Sequence, residues 1–461
     1  MKKYCSRLLS FLLLCPVLLS LLVLPAAAQE EDELNLFCTH AVLLDANHGE
    51  VLYTKDAYEK AYPASTTKVM TALLVMEAIE EGRLTPSTVV TVGESRLQDI
   101  PSGEGYVVAN LQVGEQLTVE QLLYCMLLES DCDAANVLAA AADGTVDDFV
   151  AHMNRKAGEL GCQGTHFTNT SGVHDEEHYT TAYDLSLIMA AALEHDLFRT
   201  VIATASYTVP ATNLSDERFF FNTNGLISNL YYSGYVYDKC IGGKTGTTDP
   251  AGRCLVAAAE DGDTLLVSVV LGSGPMEQEG YENLRQGQLV ESARLLDYGF
   301  THFHRVTITR GDDPVAKVDV TMSRQADEVN LKPRGSITRT LPVDLDLDQI
   351  ESRINLFSNE VQAPVEEGEV LGTMSLYYED ELYGTLDLVA VTSVERSELL
   401  YKKAQFISFF QHTWVKLILA VIVILVVIVA LRLLVFRRSR RYAGVGGRRS
   451  RRGNYRGGRR R

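Results

Sequence analysis

Ala61-Tyr-Pro-Ala-Ser-Thr-Thr-Lys-Val-Met-Thr-Ala-Leu-Leu74 is the stretch on which the reading of this chain turns. Pro63, Ala64 and Ser65 open a predicted helix, and Val69, Leu73 and Met76, with Ala72 and Ile79, recur at helical spacing as far as Glu81-Gly82. Ser65 and Lys68 stand three apart, which sets both side chains on one helix face. A serine hydroxyl becomes a nucleophile once a base takes its proton. A lysine deprived of water and near another cation can be neutral enough to act as that base. Backbone N–H groups at a helix start also face developing negative charge. Alone, Ser-x-x-Lys describes a capped helix start equally well.

Two later motifs add to it. Ser130 follows the end of a second predicted helix, Thr118–Leu127, and precedes a third, Asp133–Ala142. Its hydroxyl can relay a proton to a leaving amine, or simply cap the next helix. Lys244-Thr245-Gly246-Thr247 lies beyond a fourth helix, Thr181–Leu193, and ahead of a strand. A cation plus a hydroxyl can hold a terminal carboxylate, and a second cation near Lys68 depresses an amine pKa. Gly246 allows close backbone approach. The Thr247 N–H, on an edge strand, can complete an oxyanion hole.

In this order and spacing the three motifs resemble those of the serine-type D-alanyl-D-alanine carboxypeptidases, the low-molecular-mass penicillin-binding proteins. Asp133-Ala-Ala-Asn-Val-Leu138, Asn169-Thr-Ser-Gly-Val-His174, Ile241–Gly252 and Leu295-Leu-Asp-Tyr-Gly-Phe300 extend the resemblance across residues 36–300. It implies an α/β (α+β) fold of the β-lactamase/transpeptidase type, with an antiparallel sheet and packed helices. It implies an acyl-enzyme on Ser65, Lys68 as proton acceptor, Ser130 as shuttle, and Lys244 with Thr245 for the substrate carboxylate. The oxyanion hole would use the backbone of Ser65 and Thr247. Peptidoglycan stem peptides would be substrates and β-lactams inhibitors, with no metal or cofactor. The chain departs from the family in its second motif. Ser-x-Asn is replaced by Ser130-Asp131-Cys132, and a thiol offers neither the amide's donors nor its strong acceptor.

The flanks set the location. Lys2, Lys3 and Arg7, the apolar run Leu8–Leu24 and Ala26-Ala27-Ala28 read as a signal peptide over residues 1–28. Residues 414–436 are long and apolar enough to span a bilayer, after a juxtamembrane segment at 394–413. Residues 437–461 hold twelve arginines and no acid. The positive-inside rule sets that tail in the cytoplasm, beside anionic lipid, and the rest outside. Net charge is −18. Setting aside the twelve tail arginines and the three basic residues of the leader leaves −33 for residues 8–436. Such an ectodomain does not bind nucleic acid by bulk electrostatics.

Short strands are predicted at Thr39–Asp45 and Glu50–Thr54, then at Leu255–Ala259 and Thr264–Leu271, so a sheet is filled from both ends of the domain. Residues 301–393 alternate through strands and turns as a small all-β module. Six cysteines follow the leader, without zinc spacing. Cys240 and Cys254 flank a hairpin and can meet, or all six can be free thiols. His166, His174 and His178 show no metal-ligand geometry. Two other functions remain open. A serine β-lactamase of the fast-deacylating type would need Glu-x-x-Leu-Asn, which does not occur between Ser130 and Lys244. A non-catalytic penicillin or peptidoglycan sensor would fit Cys132 and the tail.

Overall fold

Strand β1 (His40–Asp45) is an apolar run, and β2 (Glu50–Lys55) alternates, one face covered and one wet. In the computed structural model the two pair antiparallel, and β1 then pairs with β5 (Thr264–Ser273). Beyond β5 come β4 (Gly252–Asp261) and β3 (Cys240–Thr248), giving the order β2-β1-β5-β4-β3, antiparallel throughout. The N-terminal hairpin thus occupies one edge and the Lys244 strand the other. The structure describes residues 34–102, 106–277, 284–309, 311–378 and 380–442. The expected leader at 1–28 and the tail beyond Tyr442 lie outside these residues.

Helix α1 (Lys68–Glu80) is preceded by a tight 3-10 turn at Ala64–Thr67. The spacing of its apolar residues suggests one buried face. Instead every residue from Lys68 to Met76 is buried, because α1 runs through the middle of the helical layer. Helix α2 (Val119–Tyr124) starts at a capping box, with Thr118 and Gln121 each bonded to the other's backbone. It passes into a π turn at Cys125–Glu129, and α3 (Cys132–Asp143) follows. Thr181 caps α4 (Ala182–Ala192) by accepting the Asp184 N–H, which sets α4 against α1.

The described residues as far as Val306, with Thr338–Asp346, form one compact unit. Within it Thr340 Oγ1 donates to Asp45 (2.5 Å) and Arg339 pairs with Glu50 (3.0 Å). His48 completes an Asp45–His48–Glu50 cluster, the one group of at least three potential metal ligands among the described residues. Its carboxylates are already engaged by these partners.

The other unit comprises the described residues of Thr307–Ile337 and from Leu347 to Tyr442. Its six-stranded sheet contains strands the residue pattern had not suggested, including Glu328–Pro333, Glu351–Leu356 and Val370–Tyr378. Val318, Val329, Leu331, Met374 and Leu388 form its core. A Ser397-capped helix at Glu398–Gln411 precedes the helix Thr413–Tyr442, of which Thr413–Leu434 is long and apolar enough to cross a membrane.

Candidate active site

The 3-10 turn lifts Ser65 to the end of α1 and leaves Lys68 wholly buried beneath it. Ala64 takes a left-handed φ of +47°, a costly conformation for a residue with a Cβ. Two glycines let other backbones close on this turn. A Cβ on Gly172 would fall 1.8 Å from Ala64 O, and one on Gly246 would fall 2.9 Å from Ser65 N. Gly246 therefore serves the fit of β3 against the serine turn.

Lys68 Nζ has three partners. It lies 3.0 Å from Ser65 Oγ, 2.6 Å from Ser171 O and 3.5 Å from Cys132 Sγ. The Ser171 carbonyl is aimed by Asn169, whose Oδ1 accepts the N–H groups of Ser171, Gly172 and Val173. The loop is fastened to α1 again by Thr71 Oγ1, which donates to Thr170 O (2.6 Å). Buried His178 accepts the Thr168 N–H on Nδ1, so Nε2 carries its proton toward Thr67 Oγ1 at 2.8 Å. Desolvation pushes the His178 pKa down to about 3 and keeps the ring neutral.

Ser130 ends the π turn with φ +79°, and its buried Oγ has no hydrogen-bond partner among the described residues. Asp131 is buried beside it, and desolvation raises its carboxyl well above the usual range. Lys244, 1% exposed, donates to Thr245 O at 2.9 Å. Burial, then the charge of Lys68, lower its pKa to about 7. Thr245 Oγ1 meets Thr223 Oγ1 at 2.6 Å, and Thr247 is exposed on the edge strand. A cleft of about 360 Å³ opens over this cluster. Ser65, Ser130, Cys132, Thr245, Gly246 and Thr247 line it, while Lys68 and Lys244 sit in its wall. The arrangement supplies a hydroxyl, an amine in contact with it, a second hydroxyl with an unsatisfied bond, and an edge strand to receive an extended peptide.

A family model described as D-alanyl-D-alanine carboxypeptidase matches residues 26–274. The chain belongs to the D-alanyl-D-alanine carboxypeptidase family. A second model, for the C-terminal domain of penicillin-binding protein 5, matches residues 303–396. The Bacillus subtilis D-alanyl-D-alanine carboxypeptidase DacF is 31% identical over 89% of this chain and 99% of its own length. Escherichia coli DacA is 29% identical over 81% and 87%. The Haemophilus influenzae penicillin binding protein 5 structure aligns with a TM-score of 0.61 at 27% identity, over 78% of this chain and 98% of that one.

In this carboxypeptidase the seven residues singled out from sequence come together around one cleft. The second-motif cysteine reaches Lys68 as well. Sequence reasoning assigned no role to Ser171 or Asn169, although Asn169-Thr170-Ser171-Gly172 carried part of the family resemblance. A carbonyl acceptor leaves no side-chain signature. Thr223, Tyr231, Tyr232, Arg253 and Gln288 also line the cleft, from loops, from β4 and from the start of the helix Gly287–His302. Cys240 faces Ala259 and Cys254 faces Gly246 across β3 and β4, so the two thiols do not meet. Cys125, Cys132, Cys162, Cys240 and Cys254 form no disulfide with one another.

Proposed function

We propose that this carboxypeptidase removes the terminal D-alanine from peptidoglycan pentapeptide stems through an acyl-enzyme on Ser65. The observation that carries the reading is the 3.0 Å contact between Lys68 Nζ and Ser65 Oγ at the floor of the cleft. Lys68 takes the Ser65 proton as Oγ attacks the carbonyl of the penultimate residue. The backbone N–H groups of Ser65 and Thr247 receive the oxyanion. Ser130 passes a proton to the leaving D-alanine nitrogen as the C–N bond breaks. Water then cleaves the ester, and Lys68 is regenerated as base. β-Lactams present the same acyl group and would acylate Ser65.

The same reading sets the enzyme on the outer face of a membrane, held by the Thr413–Leu434 helix. Its leader at residues 1–28 would direct export, and its arginine tail would lie in the cytoplasm.

The test is D-alanine release from a pentapeptide stem together with labelling by a fluorescent penicillin. Wild type should do both and Ser65→Ala neither. Cys132 motivates a second reading, a penicillin or peptidoglycan sensor. Labelling without release would favour it, and absence of both would sink the family mechanism for this chain.

A further inference from the structure

Asn136 is a polar side chain in the apolar part of α3. It is 2% exposed and flanked by Ala134, Ala135, Val137 and Leu138. Asparagine is a poor helix former, and a buried amide costs free energy unless its polar atoms find partners. Those of Asn136 do. Its Nδ2 lies 2.8 Å from Gln98 O and 3.2 Å from Arg96 O, and its Oδ1 lies 2.6 Å from Thr170 Oγ1. The two carbonyls can only accept, so the amino group faces them and the Thr170 hydroxyl donates to Oδ1.

The two sides of this amide belong to different parts of the cleft. On one side, Thr170 immediately precedes Ser171, whose carbonyl accepts Lys68 Nζ at 2.6 Å. Thr170 is held twice, its carbonyl by Thr71 of α1 and its hydroxyl by Asn136 of α3. On the other side, residues 96–98 lead toward Tyr106 and Val107, which line the cleft. The first turn of α3 fastens the far end of that wall. Cys132 N–H donates to Val107 O at 2.9 Å, and the Asp133 carboxylate accepts the N–H groups of Ala109 (2.9 Å) and Leu111 (3.0 Å). Asn136 thus bonds to both the Ser171 loop and the wall segment through a single side chain.

We propose that Asn136 is a positioning residue for acylation. Its oxygen, through Thr170, sets the Ser171 carbonyl that holds Lys68 beside Ser65. Its amino group sets the wall against which the stem peptide lies. The assignment deepens the carboxypeptidase reading and rests on it for the substrate.

The two sides can be cut separately. Thr170→Val keeps the side-chain shape and removes only the hydroxyl given to Asn136. It should slow Ser65 acylation by a fluorescent penicillin roughly 10-fold, and kcat with it, while KM for a pentapeptide stem moves less than about twofold. Asn136→Leu removes both sides, and should lower kcat by a like factor and also raise KM roughly 5- to 10-fold. Thr170→Ser restores the hydroxyl and should recover the wild-type rate, which a position needed only for packing would not do. Amide hydrogen exchange reads the same link without turnover. Asn136→Leu should quicken exchange in both residues 96–98 and residues 171–173 by about 10-fold, and Thr170→Val in residues 171–173 alone. Wild-type acylation in Thr170→Val, or faster exchange on one side only in Asn136→Leu, would overturn the assignment. If wild type neither takes up penicillin nor releases D-alanine, the carboxypeptidase reading falls, and the exchange pattern by itself upholds or overturns the link through Asn136.

Discussion

Cys132 Sγ lies 3.5 Å from Lys68 Nζ, at the position where the family's second motif carries asparagine. The thiol touches Lys68 but is a weak acceptor and offers the lysine little. The Ser171 carbonyl, 2.6 Å away, is the stronger partner. Cys132→Asn should raise D-alanine release about 2- to 10-fold, the span of one neutral hydrogen bond. An unchanged rate would mean that the Ser171 carbonyl already suffices.

Lys244 ties stability to pH. Its folded pKa of about 7 lies below the unfolded value of 10.5. Between the two the unfolded chain holds the extra proton, so stability rises with pH across that window. Below about 7 the whole cost of the buried charge is present. Lys244→Met should therefore flatten the rise in denaturation midpoint between pH 7 and 10.5 while cutting activity at least 100-fold. An unaltered slope in chemical denaturation would refute this account of Lys244.

His178 makes the enzyme sensitive to acid. Its folded pKa of about 3 lies below the unfolded 6.5, so the unfolded chain takes up the proton first. Stability complete above pH 6.5 is lost as pH falls toward 3, by on the order of 5 kcal/mol. His178→Gln should lower stability at neutral pH yet remove most of that acid-dependent part. Parallel pH curves for the two proteins would exclude the histidine as its source.

Gly172 is needed for contact rather than for flexibility alone. Gly172→Ala would drive a Cβ to 1.8 Å from Ala64 O and push the Ser65 turn aside. A loss of about 3 kcal/mol or more is expected, with penicillin acylation slowed beyond what the lost stability explains. Acylation at the wild-type rate in the folded fraction would show that the turn holds its geometry without this contact.

The motifs that name the chemistry are local, and local order was legible in the residues. Ser65 and Lys68 sit on one turn, and Thr118 and Thr181 announce their helices through side-chain caps. The sheet filled from both ends of the domain followed from where apolar runs fall. The strands at Glu351–Leu356 and Val370–Tyr378 were less legible, because their solvent-facing residues dilute the apolar signal. The return of Thr338–Asp346 to the first unit depends on long-range partners such as Asp45 and Glu50.

By itself the sequence determined which residues could do the chemistry, because nucleophile, base and glycine announce themselves by type and spacing. Only the tertiary structure decided how they are placed against one another. Burial turned Lys244 inward, Asn169 aimed a carbonyl at Lys68, and strand register brought Arg253 beside Thr247. Desolvation, carbonyl direction and register arise between segments far apart in the chain, and a one-dimensional pattern does not carry them.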